Sequence, residues 1–169
     1  MNRPPNQGRK AIRLRIVIPS LVLAAIIEST VMPYIRIWGV SPDLVLLSAI
    51  SWVLLRGSED SLIVGLVGGV MLDMLSAVPA GASTLALTLV CYLASIGEIN
   101  VFRGSRLLPY IVIAMATLLY YMLVLVLLQI TNRPVFWTAE ISRTVLPTLL
   151  VNMLAMPLVY AFYTWVYAR

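Results

Sequence analysis

Residues 61–81 read SLIVGLVGGVMLDMLSAVPAG, and this stretch decides the class of fold. It carries a single charged residue, Asp73, and it closes on Pro-Ala-Gly, which is typical of a turn. Without that turn the apolar run would read as one very long helix. The stretch therefore predicts two membrane-crossing helices joined by a tight, uncharged turn, the first over residues 61–78 and the second over residues 82–99.

The composition of the whole chain also indicates a membrane protein. Of its 169 residues, 61% are hydrophobic and 11% are charged, and the mean hydropathy is +0.96. Soluble domains are about 45–50% apolar and 25% charged, so an ordinary soluble enzyme is excluded. The formal charge of +5 is spread too thinly to make the basic face that nucleic acid requires. Nucleic acid is therefore not expected as a partner.

The chain has no His and one Cys. These counts exclude disulfide frameworks, zinc and haem sites that need His, and every catalytic arrangement built on imidazole. The remaining chemistry would have to come from a few carboxylates, arginines and hydroxyls. We therefore predict no catalytic residue, no metal ligand and no cofactor.

Six stretches are long and apolar enough to cross the hydrocarbon core of a bilayer. They are residues 16–34, 37–55, 61–78, 82–99, 107–130 and 145–166. The second is short as a regular helix, because Ser41 as N-cap, Pro42 and Asp43 are typical of a helix start. The sequence predicts an all-α integral membrane protein: a compact bundle of six transmembrane helices that forms one domain over residues 16–169.

The basic residues indicate the orientation of this bundle. If the N-terminus is cytoplasmic, nine of the twelve Lys and Arg lie inside, and only Arg36, Arg133 and Arg143 lie outside. This distribution satisfies the positive-inside rule and places both termini in the cytoplasm. Residues 1–15 then form a basic cytoplasmic arm. We interpret the arm as an anchor at anionic lipid rather than a cleaved signal, since no small-residue cleavage site follows the first span.

Three acidic residues, Glu28, Asp43 and Asp73, are candidates for function. Glu28 lies inside the first span, where an ionised side chain costs about 2.5–3.5 kcal/mol. It therefore marks either a functional site or a packing residue that is protonated or bonded to a nearby Ser or Tyr. On the predicted topology Asp43 and Asp73 approach the same outer face as the three outer arginines. An ion-paired network there would hold the short spans together or present charge to an extracytoplasmic partner.

The third span carries a stripe of small residues. Gly65, Gly69 and Asp73 are spaced by four, so they lie on one helix face. The two glycines form a small-xxx-small contact that lets another backbone approach closely. That backbone belongs either to a helix of the same chain or to a second protein. Asp73, at the end of the stripe, either caps the turn into the fourth span or contributes to the same face.

The last span contains Asn152 between Pro147 and Pro157. Proline removes backbone hydrogen bonds inside a helix, so this pattern predicts a bent helix. In a membrane the freed carbonyls and the Asn152 amide must find partners within the protein.

The order of these motifs resembles the rod-shape-determining MreD family. The resemblance is carried by the basic N-terminus, Ser-Pro-Asp-Leu at 41–44, Gly-Leu-Val-Gly-Gly-Val-Met-Leu-Asp at 65–73, and the following Pro79 and Gly81. It implies a multi-pass, non-enzymatic protein of the bacterial inner membrane. The implied partners are MreC, the RodA glycosyltransferase with its penicillin-binding transpeptidase, MreB filaments and membrane lipids. The matching positions, as a face that fixes the fold or binds the partner, are Pro42, Asp43, Gly65, Gly69, Asp73 and Gly81.

The same family is similar in fold to the substrate-binding subunits of energy-coupling-factor vitamin transporters, and this supplies an alternative function. Such a subunit needs a pocket with convergent polar groups and loops that cover it. The predicted outer turns are short. The sequence therefore favours a membrane scaffold in cell elongation, with a solute-binding transporter subunit as the alternative, in which Glu28, Asp43 and Asp73 would form the solute site.

Overall fold

The computed structural model describes residues 5–35, 39–56, 60–76, 79–100 and 108–168, and within these ranges the chain is helical without strands. The α-helices are α1 (Pro5–Thr30), α2 (Leu44–Arg56), α3 (Ser61–Leu75), α4 (Ala82–Asn100), α5 (Leu108–Ile130), α6 (Trp137–Glu140) and α7 (Leu146–Ala168). A 3-10 turn, Met32–Tyr34, follows α1, and a π-helical turn, Ile141–Val145, joins α6 to α7 without a break.

Three helical stretches are long and apolar enough to cross a membrane: Val17–Tyr34, Pro109–Ile130 and Trp137–Val166. Three shorter apolar helices, Leu44–Leu55, Ser61–Leu75 and Ala82–Ile96, lie on the remaining predicted spans. The all-α class is confirmed, and the three long apolar helices make the chain a membrane protein.

Several helix boundaries differ from the prediction. Helix α1 already begins at Pro5, so the described part of the basic arm continues into the first span as one helix. Helix α2 begins at Leu44, where the Asp43 carbonyl accepts the Leu47 amide at 2.9 Å. The expected cap at Ser41 was therefore wrong by two residues, because Asp43 is the last residue before the helix and its carbonyl closes the first turn.

The start of α3 at Ser61 agrees with the prediction. Asp60 occupies the N-cap position, but its side chain makes no capping hydrogen bond. The sequence also predicts a cap and negative charge from Ser58 and Glu59 before this helix, and these two residues lie outside the described residues. At the far end, α3 stops at Leu75 rather than at residue 78, since Ser76 adopts an extended conformation.

Helix α2 lies at the centre of the bundle. Its residues from Val45 to Leu54 are buried, with Val45, Leu46 and Ile50 fully inaccessible. The 13 residues of α2 span only about 20 Å, which is too short for a lipid-exposed span. The surrounding helices α1, α3, α4, α5 and α7 contact it and shield it from lipid.

The glycine stripe joins α3 to α4. A Cβ atom on Gly65 would lie 2.6 Å from the Thr88 Cα, and one on Gly69 would collide with the Thr84 Cα. Only glycine permits this approach of the two backbones. Within the described chain, the backbone that the sequence analysis left unassigned is therefore that of α4.

Candidate functional site

Polar side chains from four parts of the chain meet at the N-terminus of α2. We call this group the α2 cluster; its members are Glu28 of α1, Asp43 before α2, Thr117 and Tyr121 of α5, and Asn152 of α7. The first turn of any helix has backbone amides without intrahelical acceptors. The cluster lies around these amides of α2.

Glu28 satisfies one of these amides from another helix. Its Oε2 accepts the Val45 N–H at 2.8 Å. A carboxylate is favoured at this place, because the N-terminus of a helix carries partial positive charge. A Ser or Tyr partner was one of the alternatives for Glu28; the partner that the structure describes is the backbone of α2. Glu28 thus ties the middle of the bundle to α1.

Asp43 faces away from its own helix and binds α7. Its backbone N–H donates to Asn152 Oδ1 at 2.9 Å, and Asn152 Nδ2 donates to Asp43 Oδ2 at 3.1 Å. The Asn152 amide also donates to Thr117 Oγ1 at 3.1 Å, and its side chain is fully buried. The prediction that this amide requires partners within the protein is confirmed.

The second partner of Asp43 is Tyr121, whose hydroxyl lies 2.9 Å from Oδ2 and 3.1 Å from Oδ1. Sequence reasoning missed both Tyr121 and Thr117. A usable signal was present, since the two residues are four apart and place two hydroxyls on one face of a mostly apolar helix. Hydroxyls at that spacing indicate a face directed at buried polar groups.

Asp73 forms a second polar site at the start of α4. Its Oδ2 accepts the Gly81 N–H at 2.8 Å, the Thr84 N–H at 3.1 Å and the Thr84 hydroxyl, and Oδ1 accepts the Ser83 N–H at 2.9 Å. The expectation that Asp73 caps the turn into the fourth span is confirmed. Gly81 has φ +95°, a left-handed conformation that favours glycine.

Tyr120 connects the two sites. Its hydroxyl pairs with the Ser83 side chain, and its ring meets that of Tyr121 edge to face, with the centroids 5.4 Å apart. The acids of α1, α2 and α3 therefore lie at the same end of the bundle, as the alternation of the predicted spans requires.

The ion-paired network expected with the arginines stays a prediction. The described partners of Glu28, Asp43 and Asp73 are backbone amides, hydroxyls and the Asn152 amide, which are all neutral. Arg133 and Arg143 are exposed, and Arg36 lies outside the described residues. The remaining candidate, Pro42, is half-buried directly before the cluster.

This arrangement is suited to joining helices. Both carboxylate oxygens of Asp43 already accept protein hydrogen bonds, and so do both oxygens of Asp73. In the part of the chain that the structure describes, no three His, Cys, Asp or Glu side chains are grouped as metal ligands would be. Two spaces of about 430 Å³ lie in the described part of the chain: an apolar groove between α4 and α5, and a mostly apolar one beside Asp73.

Comparison with known proteins gives one finding. A family model, described as rod shape-determining protein MreD, matches residues 9–168. No curated protein and no solved structure matches the chain. The likeness in fold to vitamin-transporter subunits thus stays a prediction.

Proposed function

Because the chain belongs to the MreD family of rod shape-determining proteins, we propose that it is a non-enzymatic scaffold subunit of the bacterial cell-elongation machinery. The observation that carries this proposal is the family match, which extends over nearly the whole chain. The family is one of shape-determining structural proteins, and this supports a role in assembly rather than catalysis.

The proposed topology has six crossings of the inner membrane, with both termini in the cytoplasm. The distribution of nine basic residues inside against three outside supports it. The six apolar helical segments also support it, since each falls on one predicted span. In this orientation the α2 cluster and the Asp73 site lie toward the extracytoplasmic side.

The packing indicates which surfaces remain for a partner. Gly65 and Gly69 are covered by α4, and the acids are bonded within the chain. We propose that the matching residues from Pro42 to Gly81 fix the fold, and that partners bind elsewhere. Helix α7 presents four leucines spaced by four residues, each about half exposed or more. They are Leu146 (51%), Leu150 (48%), Leu154 (67%) and Leu158 (76%).

A row of leucines at this spacing follows one side of a helix and offers an apolar surface to another helix. We propose that MreC, which spans the membrane once, packs its helix here and links this chain to RodA, the penicillin-binding transpeptidase and MreB. The solute-binding alternative is less favoured, because Asp43 and Asp73 have no oxygen free of protein donors.

The test is a mild-detergent purification of the tagged chain from its native membrane, with mass spectrometry of the co-purifying proteins and extraction of bound small molecules. We expect an MreC-like protein together with wall-synthesis enzymes. Recovery of transporter ATPases, or of a stoichiometric vitamin, would instead support the transporter alternative.

A photo-crosslinking amino acid then locates the contact. We expect crosslinks to the MreC span from position 154 on α7. A matched probe at position 115 on α5, where the native Met115 is 63% exposed, controls for nonspecific capture in the membrane. Equal capture at both positions would contradict the assignment of the α7 face.

A further inference from the structure

The hairpin of α3 and α4 has a shorter apolar length than the long helices α5 and α7. Helix α3 has 15 residues, and the apolar part of α4 is Ala82–Ile96. Each therefore extends about 22 Å, against the ~30 Å of a bilayer core. Helices α5 and α7 have 23 residues each, or about 34 Å.

This short hairpin also faces outward. Leu62 and Leu66 on α3 are each 52% exposed, and Leu85 on α4 is 63% exposed. Unlike α2, which is equally short but enclosed by protein, the hairpin has no described helix covering this side. If α3 and α4 cross the membrane as proposed, lipid faces this side and adapts to their length.

Polar residues fix the position of the hairpin at one end. Glu59 precedes α3, and Glu98 follows the apolar part of α4 in the sequence. Sliding the hairpin toward the opposite surface would draw these two acids into the hydrocarbon core, which is costly. The shortfall in length is therefore concentrated at the end where α3 meets α4.

Asp73 gives a second indication at that end. It lies 12 residues after the start of α3, or about 18 Å along the helix, and so well inside a bilayer of ordinary thickness. It is only half-buried, and it lines an open space of about 430 Å³ together with Met74 and Leu85. A carboxylate at such a depth is stabilised when the bilayer thins locally or water enters.

We propose that the lipid leaflet is thinned over the α3–α4 end, so that headgroups and water descend to Asp73 and Ala80. Around α5 and α7 the bilayer keeps its ordinary thickness. This inference rests on the proposed six-span topology, in which α3 and α4 cross the membrane, but not on the identity of any protein partner.

The test uses the purified full chain in phosphatidylcholine vesicles, without partner proteins. In a Cys91→Ala background, a spin label is attached to Ala80→Cys at the hairpin end or to Val126→Cys on α5. Ala80 and Val126 are both exposed. Val126 lies 18 residues after Leu108, about 27 Å along α5, whereas α3 is about 22 Å long. In the proposed topology both helices start at the cytoplasmic surface, so Val126 lies at least as far from that surface as the end of α3. The collision rates of each label with a water-soluble nickel chelate and with oxygen are then compared.

We expect the label at position 80 to collide with the nickel chelate several-fold more often than the label at position 126, which should favour oxygen. Oxygen-rich, chelate-poor behaviour at both positions would overturn the thinning. High chelate access at both positions would overturn it too, and would count against the six-span topology as well. Longer acyl chains should leave position 80 accessible if the leaflet bends around the hairpin; loss of access would overturn the proposal.

Discussion

The carboxylate of Glu28 and the backbone amide of Val45 lie 2.8 Å apart and join α1 to the first turn of α2. Asp43, the residue directly before α2, does not cap that turn with its side chain but binds Tyr121 and Asn152 instead. Two acids thus divide two tasks: the one remote in sequence caps the helix, and the adjacent one bonds α2 to α5 and α7.

If Glu28 acts mainly as a hydrogen-bond acceptor, its side-chain oxygen should contribute more to stability than its negative charge. We expect Glu28→Gln to retain most of the stability and Glu28→Ala to lower the free energy of unfolding by about 1–2 kcal/mol, as for the loss of a helix cap. Unfolding in mixed micelles with increasing SDS measures both variants. An equal loss in the two would show that the charge itself is required.

Asn152 makes three hydrogen bonds in a fully buried position. Asn152→Leu should destabilise the chain by about 1–3 kcal/mol, because it leaves the Asp43 amide and carboxylate short of partners. Leu154→Ala, at a position 67% exposed on the same helix, serves as the control and should have little effect. Thermal unfolding in one detergent compares them. Similar melting temperatures for both variants would contradict the importance of the cluster.

The three glycines of α3 should differ in their tolerance of alanine. At Gly65 and Gly69 the new methyl group meets the α4 backbone, whereas at Gly68 its nearest neighbours are side-chain carbons of Leu87 at 3.0 Å and Val45 at 3.1 Å. Side chains can shift, while two packed backbones must separate. We expect Gly68→Ala to be the mildest of the three single variants, with a difference of about 1–3 kcal/mol. The yield of monodisperse protein and SDS unfolding would reveal the order.

We expect Asp73 to stabilise the fold rather than to bind a partner. Asp73→Ala removes four hydrogen bonds at the start of α4 and should cost about 1–2 kcal/mol. Asp73→Asn keeps one acceptor oxygen and should fall between Ala and the native residue. The same unfolding measurement tests this order, and co-purification of MreC is recorded beside it. Native stability of Asp73→Ala with loss of MreC would instead place Asp73 in the partner interface.

Much of the fold could be predicted, because hydropathy, turn residues and spacing are local properties. The tight turn before Gly81, the close packing at Gly65 and Gly69, and the capping role of Asp73 all follow from a few neighbouring residues. The partners of Glu28 and Asp43 could not be found in this way. They depend on which helices meet in space, and hydropathy does not encode that order.

The exact start of α2 could not be predicted either. On local grounds Ser41-Pro42-Asp43 fits an N-cap at Ser41 and one at Asp43 about equally well. In the structure the helix starts after Asp43, where Asn152 and Tyr121 bind that residue. The ion pairs expected with the arginines stay a prediction, since Arg36 lies outside the described residues. Charge counting shows which groups share a side of the membrane, but neutral donors at closer range hold the acids.

The α2 cluster can form only after α7 has been synthesised. Asp43 and Asn152 are 109 positions apart in the chain, so at about 5–20 residues per second the ribosome needs about 5–20 s to supply the second after the first. During that interval α2 enters the membrane with Asp43 lacking its amide partner. A nascent chain stalled before α7 would therefore expose α2, with Asp43 lacking its Asn152 partner, to membrane quality-control proteases. The complete chain would not.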